Sequence, residues 1–249
     1  IQYNKLRIMA NIITRIIPNT LTCGNLVSGC IATVFALSGD ARMALLWIIA
    51  GALFDFFDGM SARLLNVSSP IGKELDSLAD DVTFGVAPAA IIFRELQTLE
   101  CPDFLAPVAE YLPYFAFVMA AFSALRLAKF NLDTRQTTSF IGLPTPANAL
   151  FWGSLLVSRA DWFESSPLMV PVLLVMICFS SWLLVAEIPM FALKFKHWGW
   201  KENELRYTFI VFSAVMIFFF GIIQSFWMIV AWYFIVSLCS NMMTKKAQA

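Results

Sequence analysis

Long apolar runs separated by short polar links are the dominant pattern along this 249-residue chain. A helix needs about 20 mostly apolar residues to cross a membrane, and these runs approach that length. Outer-membrane strands would instead alternate apolar and polar residues over about 10 positions, and these runs are continuous. The pattern therefore predicts eight membrane-spanning helices, over residues 20–38, 43–62, 76–93, 110–128, 142–158, 167–192, 207–223 and 225–243.

Composition also indicates a membrane protein. Hydrophobic residues make up 59% of the chain and charged residues 14%, against roughly 45–50% and about 25% in soluble domains. Lys and Arg together number 17, as do Asp and Glu, so no net positive field is available to attract nucleic acid. The five cysteines are scattered, and His197 is the one histidine, which disfavours a disulfide framework or a zinc site. We predict an all-α integral membrane protein that binds no nucleic acid.

The basic residues predict how the chain is oriented. With the N-terminus placed in the cytoplasm, the eight helices leave only Arg42, Arg94 and Arg159 of the 17 basic residues on the outer side. An excess of Lys and Arg marks the cytoplasmic loops of membrane proteins. The chain is therefore expected to be a multi-pass protein of the cell (inner, cytoplasmic) membrane with both termini in the cytoplasm.

The N-terminal region has two interpretations. Residues 9–17 mix bulky apolar side chains with Arg15, which predicts that they lie on the cytoplasmic interface before Pro18 breaks the helix. Residues 1–17 as a whole are expected to form a cytoplasmic or interfacial segment. Alternatively, the first apolar run is the core of a signal peptide. Gly24, Asn25 and Gly29 interrupt that run, which favours a spanning helix.

Four aspartates stand where a membrane helix should carry none. Asp55 and Asp58 are three residues apart on the second predicted helix, and Asp76 and Asp80 are four apart on the next, so each pair shares a helix face. The link over residues 64–75 is short enough to make the two helices neighbours. Each charge costs about 2.5–3.5 kcal/mol to insert. We therefore expect one functional cavity at the cytoplasmic edge of the membrane.

Four converging carboxylates repel one another unless a cation neutralises them. Oxygen ligands select hard cations, so Mg²⁺ or Mn²⁺ is expected, with Ca²⁺ as an alternative, and two ions would suit displacement at phosphorus. Gly59 leaves room beside the helix, and Arg63 offers a guanidinium to a phosphate. The aspartates could instead be interfacial charges paired with Arg63 and Lys73, or belong to a divalent-cation transporter. Their position at a helix end rather than at the midplane disfavours the transporter.

The complete spacing, Asp55-x2-Asp58-Gly59-x2-Ala62-Arg63-x8-Gly72-x3-Asp76-x3-Asp80, resembles the signature of the CDP-alcohol phosphotransferase family. The resemblance implies a six-helix core, here residues 18–192, followed by a cytoplasmic loop (193–206) and an added C-terminal helical hairpin with its tail (207–249). It also implies a homodimer. The implied metal ligands are Asp55, Asp58, Asp76 and Asp80, with Asp80 also acting as the general base.

The resemblance and the residues themselves together predict which positions bind the substrates. The resemblance implies that Gly59, Arg63 and Gly72 adjoin the CDP moiety. Asn19, Thr22 and Asn25 form a polar stripe along the start of the first helix that suits contact with cytosine, or alternatively a helix cap at Asn19 and helix packing by the other two.

Two stretches, 125–131 and 142–148, together with the start of the first helix, resemble the branch of the family that uses L-serine as acceptor. Serine needs a cation for its carboxylate, which Arg126 and Lys129 can supply, and acceptors for its ammonium group, which Asn131 and the backbone around Pro144 can supply. The alternatives are anchoring on the cytoplasmic side for the two basic residues and loop capping for Asn131.

The expected reaction is transfer of a phosphatidyl group from membrane-embedded CDP-diacylglycerol to the serine hydroxyl, which releases CMP. A sibling transferase with another acceptor alcohol is the alternative within this family, and the divalent-cation transporter is the alternative outside it.

Overall fold

The computed structural model describes residues 2–67, 69–133, 140–191, 199–200 and 203–248, with side chains described between residues 16 and 242. Its helices are α1 (Gln2–Leu37), α2 (Ala41–Leu64), α3 (Pro70–Asp80), α4 (Ala87–Thr98), α5 (Phe117–Leu132), α6 (Thr145–Glu164), α7 (Met169–Val185), α8 (Glu204–Phe220) and α9 (Ile222–Gln248). A π-helix (Asp81–Val86) joins α3 to α4, and two 3₁₀ turns (Asp103–Val108 and Leu112–Ala116) precede α5.

Each of the eight predicted membrane segments is largely helical in the structure, which confirms the all-α membrane fold. Within the described residues, four helical stretches are long and apolar enough to cross a membrane: Ile16–Leu37, Ala41–Leu64, Leu112–Leu132 and Ile222–Met242. Helix α7 is apolar but shorter. The predicted cytoplasmic loop at 193–206 lies partly outside the described residues, because 192–198 and 201–202 are not among them.

The predicted helix break at Pro18 is wrong. Helix α1 runs without interruption from Gln2 to Leu37, with Pro18 inside it. A proline removes one hydrogen bond from a helix, and membrane helices tolerate this loss where neighbouring groups compensate. Pro18 is buried, and its carbonyl oxygen accepts a hydrogen bond from the hydroxyl of Thr22 at 3.0 Å.

The third predicted segment, 76–93, is longer in the structure and is not one regular helix. Pro70 stands in the first turn of α3, and Ser69 caps it by accepting a hydrogen bond from the backbone N–H of Gly72 at 2.9 Å. Immediately after Asp80 the chain becomes a π-helix, in which the N–H of Ala87 bonds to the carbonyl of Val82. Such insertions are frequent at functional sites, and this one directly follows a predicted catalytic residue.

A small antiparallel pair of strands connects the segment before α6 to the segment after α7. Strand β1 (Phe140–Ile141) pairs with β2 (Pro189–Met190), and the N–H of Gly142 donates to the carbonyl of Ile188 at 2.9 Å. Gly142 has φ +76°, a conformation that favours glycine. This turn leads directly into the start of α6.

Two glycines allow α1 and α2 to pack closely against the π-helix. A Cβ atom on Gly29 would lie 2.7 Å from the Cα of Thr83, and one on Gly51 would lie 2.5 Å from the Cγ2 of Thr83. The hydroxyl of Thr83 donates to the carbonyl of Asn25 at 3.0 Å. The aspartate-bearing segments are therefore fixed against α1 by small residues and buried hydrogen bonds.

We predict that Gly29→Ala destabilises the protein by about 1–3 kcal/mol, because the added methyl group collides with the backbone of Thr83 and overpacks this contact. Thermal unfolding of the purified protein in detergent measures the effect as a lower Tm. Cys30→Ala is the matched control, since the neighbouring Cys30 is exposed and its truncation removes no buried contact. Equal Tm values for Gly29→Ala and the wild type would contradict the close approach.

Candidate active site

Three of the four predicted metal ligands converge. Ligand oxygens of Asp55 on α2 and of Asp76 and Asp80 on α3 all lie within 4.8 Å of one another. Asp80 is 8% exposed, and the other two are partly buried. The link over residues 65–69 is short, so α2 and α3 present these carboxylates to the same space.

Asp58 lies beside this group of three. It is 6% exposed and interacts electrostatically with the other three carboxylates. Its Oδ2 accepts a hydrogen bond from the hydroxyl of Thr22 at 2.6 Å, a contact that ties α1 to α2. We refer to Asp55, Asp58, Asp76 and Asp80 together as the aspartate cluster.

Asn25 is placed against Asp80. Its side-chain nitrogen donates a hydrogen bond to Oδ1 of Asp80 at 2.9 Å, and Asn25 has no exposed surface. Its other side-chain atom, Oδ1, is buried and unpartnered within the described residues. The hydrogen bond fixes one oxygen of Asp80 and leaves the other free to act on a ligand.

The aspartate cluster has the chemistry of a divalent-cation site. Its described hydrogen-bond partners, Thr22 and Asn25, are neutral donors and do not cancel the negative charge. The two bases expected to pair with interfacial aspartates are engaged elsewhere: Arg63 Nε donates to the carbonyl of Gly59 at 3.0 Å, and Lys73 Nζ donates to that of Asn131 at 2.8 Å. Oxygen ligands of this kind suit a hard divalent cation.

A cavity of about 260 Å³ opens beside the cluster, between α1, α2 and the start of α3. Asn19, Thr22, Gly59 and Gly72 line it, together with Asp58 and Asp76 of the cluster. Of the other predicted CDP contacts, Asn25 is buried against Asp80, and Arg63 is exposed and bonded within its own helix. The structure therefore brings four of the six predicted residues to one cavity.

The two glycines of this cavity differ in what they allow. A Cβ atom on Gly59 would contact nothing within 4 Å, so its missing side chain leaves open space on the cavity wall. A Cβ atom on Gly72 would lie 3.0 Å from Oγ of Ser69 and 3.1 Å from Oδ1 of Asn19. Gly72 therefore keeps the start of α3 close to α1.

Lys73 is a cavity residue that the sequence pattern did not predict as a binding residue. Its ammonium group is the one cation among the cavity-lining residues that the structure describes. Its position directly after Gly72, at the start of a helix that carries two aspartates, is the feature of the sequence that could have predicted a binding role. The positive charge of Lys73 alone predicts only that it lies on the cytoplasmic side.

The predicted acceptor residues are divided between two places. Arg126 and Lys129 line a small cavity of about 40 Å³ together with Glu187 and the ends of α5 and α7. Arg126 is 7% exposed, and its Nη1 donates to the hydroxyl of Thr145 at 3.3 Å, while its Nε is buried without a partner among the described residues. Arg126 also interacts electrostatically with Asp80 of the aspartate cluster.

Asn131 and Pro144 are not among the residues that line that cavity. Asn131 donates its side-chain N–H to the hydroxyl of Ser77 at 2.7 Å, and its carbonyl accepts from Lys73, so it joins α5 to α3. Pro144 is the residue before Thr145 at the start of α6 and places that hydroxyl beside Arg126.

Comparison with known proteins identifies the family. Residues 15–193 match the family model described as CDP-alcohol phosphatidyltransferase. The chain belongs to this family. The matched region contains the aspartate cluster and both cavities and ends before α8, so the helical hairpin α8–α9 lies beyond it.

Relatives in this family carry one activity in their names. The chain is 37% identical over 183 residues to the CDP-diacylglycerol–serine O-phosphatidyltransferase of Bacillus subtilis, covering 73% of this chain and 90% of that protein. It is 33% identical over 187 residues to the protein of the same name in Mycobacterium leprae, covering 71% and 58%. It is 38% identical over 148 residues to the protein of the same name in Saccharomyces cerevisiae, and the match covers 53% of this chain and 50% of that protein.

We predict that Asp76→Asn weakens the binding of Mn²⁺ about tenfold or more, because it removes one anionic ligand from the cluster while keeping the shape of the side chain. Titration of the purified protein with Mn²⁺, followed by electron paramagnetic resonance, measures the affinity. Asp81→Asn is the matched control: it also removes one aspartate charge on the same segment, but Asp81 faces Ser123 and Gly85. Equal losses in both variants would refute a specific site at the cluster.

Proposed function

We propose that this protein transfers the phosphatidyl group of CDP-diacylglycerol to the hydroxyl of L-serine, giving phosphatidylserine and CMP. The observation that carries the proposal is the aspartate cluster itself: Asp58 and Asp76 line a cavity of about 260 Å³, and Asp80 interacts electrostatically with the buried guanidinium of Arg126. The names of the relatives support serine as the acceptor.

The larger cavity is the site proposed for the CDP moiety. Its wall offers neutral hydrogen-bonding groups on α1, from Asn19 and Thr22, and open space at Gly59. The ammonium group of Lys73 provides a positive charge for a phosphate oxygen. The two acyl chains of the substrate would remain in the membrane between the helices.

The proposed chemical step is a direct displacement at the β-phosphorus. The serine oxygen forms a bond to that phosphorus while the bond between the phosphorus and the oxygen of CMP breaks, and CMP departs. The proton of the serine hydroxyl passes to Asp80, whose Oδ1 is held by Asn25 so that its other oxygen can accept it.

The cluster residues Asp55, Asp58, Asp76 and Asp80 would hold divalent cations, which we propose are two Mg²⁺ or Mn²⁺ ions. Bound there, such ions supply positive charge against the pyrophosphate oxygens and the leaving phosphate. The protein's own contribution is to hold four carboxylates at the end of a cavity. Thr22 and Asn25 orient two of them from α1.

The smaller cavity is the site proposed for serine. Arg126 is a buried cation whose Nε has no partner among the described residues, which suits it to the carboxylate of an amino acid, and Lys129 supplies a second positive charge. Glu187 lines the same cavity and offers a carboxylate to the ammonium group. Asn131 and Pro144 support the walls through α3 and α6.

The orientation and assembly of the protein are also proposals. The distribution of basic residues supports insertion in the cell (inner, cytoplasmic) membrane with both termini and the active site on the cytoplasmic side. The homodimer is inferred from the family resemblance.

An assay with purified protein, CDP-diacylglycerol and radiolabelled serine tests the function. Metal-dependent labelling of lipid, with one CMP released for each serine incorporated, is the expected result. Labelling with glycerol 3-phosphate or another alcohol in place of serine would identify a sibling transferase. Flux of a divalent cation into vesicles without any transfer would identify a transporter.

Asp80→Asn is expected to lower kcat by about 100-fold or more, because it removes the proton acceptor while retaining an oxygen ligand. Asn25→Ala is expected to lower kcat by about tenfold to a hundredfold through loss of a hydrogen bond to a charged group, with KM for CDP-diacylglycerol unchanged. Steady-state kinetics separate the two parameters. A rise in KM for CDP-diacylglycerol with an unaltered kcat in Asn25→Ala would show instead that Asn25 contacts the nucleotide.

Arg126→Ala should raise KM for serine about tenfold to a hundredfold, since a charged hydrogen bond to a carboxylate contributes about 1.5–3 kcal/mol. KM for CDP-diacylglycerol should change little. Lys129→Ala should act in the same direction, and Lys129→Arg should have little effect, because Arg keeps the charge. If correctly inserted alanine variants retain the wild-type KM for serine, the acceptor binds elsewhere.

A further inference from the structure

The helical hairpin α8–α9 lies outside the region matched by the family, yet it contacts the part of the core that borders the acceptor cavity. Helix α9 packs mainly on α6, and the hairpin also contacts β2 and Phe191, the residue that follows the strand. Ile188 and Met190 pack with Val230, Tyr233 and Phe234 of α9 in one apolar cluster. The hairpin is therefore joined to a two-residue strand as well as to α6.

Two side chains of α9 hold this strand by its backbone. The hydroxyl of Tyr233 donates to the carbonyl of Phe191 at 2.8 Å, and the side-chain nitrogen of Asn241 donates to that of Pro189 at 2.7 Å. The ring centroids of Tyr233 and Phe191 also lie 4.9 Å apart. The ring centroid of Phe209 on α8 lies 5.4 Å from that of Phe191 and 5.9 Å from that of Tyr233. Both helices of the hairpin thus contact the end of β2.

From β2 the contacts continue to Arg126. Strand β2 pairs with β1, and the N–H of Gly142 donates to the carbonyl of Ile188 at 2.9 Å. The turn at Gly142 leads to Thr145, whose hydroxyl accepts the hydrogen bond from Arg126. Tyr233 itself also interacts electrostatically with the guanidinium of Arg126.

We propose that the α8–α9 hairpin is a positioning element of the acceptor pocket, with Tyr233 as the residue that anchors β2 and thereby holds Arg126 in place. This inference rests on the proposed function, because it assigns the role of the hairpin to the same acceptor cavity. Tyr233 does not touch the aspartate cluster in the described contacts. Its role is therefore in the binding of the acceptor and not in the chemical step.

The experiment compares Tyr233→Phe with the wild type in detergent-purified protein. The variant removes one hydroxyl and keeps the aromatic contacts, so the expected result is a rise of about threefold to tenfold in KM for serine, the range given by loss of one hydrogen bond. We expect kcat and KM for CDP-diacylglycerol to remain within about twofold of the wild type, because the substitution affects only the binding of the acceptor. Asn241→Ala, which loosens the same strand, should shift KM for serine in the same direction.

Tyr111→Phe is the matched control, because Tyr111 is exposed and lies in the turns before α5, away from both cavities. It should leave all three parameters unchanged. An unchanged KM for serine in Tyr233→Phe would overturn the inference. So would a parallel change in kcat and both KM values with a lower Tm, since that is the signature of a merely structural role.

If the wild-type protein does not incorporate serine, the proposed function is wrong, but the positioning role of Tyr233 can still be tested. The same comparison is then made with the alcohol that the wild type does use. A selective rise in KM for that alcohol in Tyr233→Phe would still support the positioning role, and its absence would overturn it.

Discussion

Mutual repulsion among four carboxylates at a membrane edge is the constraint on which the rest of the structure depends. Isolated in an apolar surrounding, such charges would drive α2 and α3 apart. The fold holds them together instead: α1 supplies Thr22 and Asn25 as neutral donors, and Gly29 and Gly51 allow the helices to close on Thr83. A divalent cation would neutralise the remaining charge, so metal binding and the packing of these three helices are parts of one arrangement.

The sequence was sufficient for those features that depend on periodicity and local spacing. Apolar runs located the eight helical segments, and the three- and four-residue gaps placed Asp55 with Asp58 and Asp76 with Asp80 on common faces. The sequence was insufficient where a tertiary contact decides. Pro18 continues a helix and is buried within the packed bundle, and the π-helix after Asp80 packs against α1 and α5. Neither feature has a local pattern that would predict it.

The roles of single polar residues also depend partly on local spacing, which the sequence shows, and partly on tertiary contacts, which it does not show. Asn25 has the spacing of a cavity-lining residue on α1, but its depth in the bundle turns it towards Asp80. Asn131 bridges to Ser77 and Lys73, a contact between positions more than 50 residues apart that spacing along the chain cannot predict. Long-range packing likewise brings Tyr233, from outside the family region, close to Arg126. The acceptor pocket was for these reasons less predictable than the aspartate cluster.

The central claim is that the aspartate cluster is the metal centre of a phosphatidyl transfer site. Anomalous diffraction from crystals grown with Mn²⁺ and CDP tests it most directly. We expect anomalous density among the carboxylates of Asp55, Asp76 and Asp80, with the nucleotide in the adjoining cavity beside Thr22 and Gly59. Manganese bound elsewhere, or a nucleotide bound without any metal at the cluster, would contradict it.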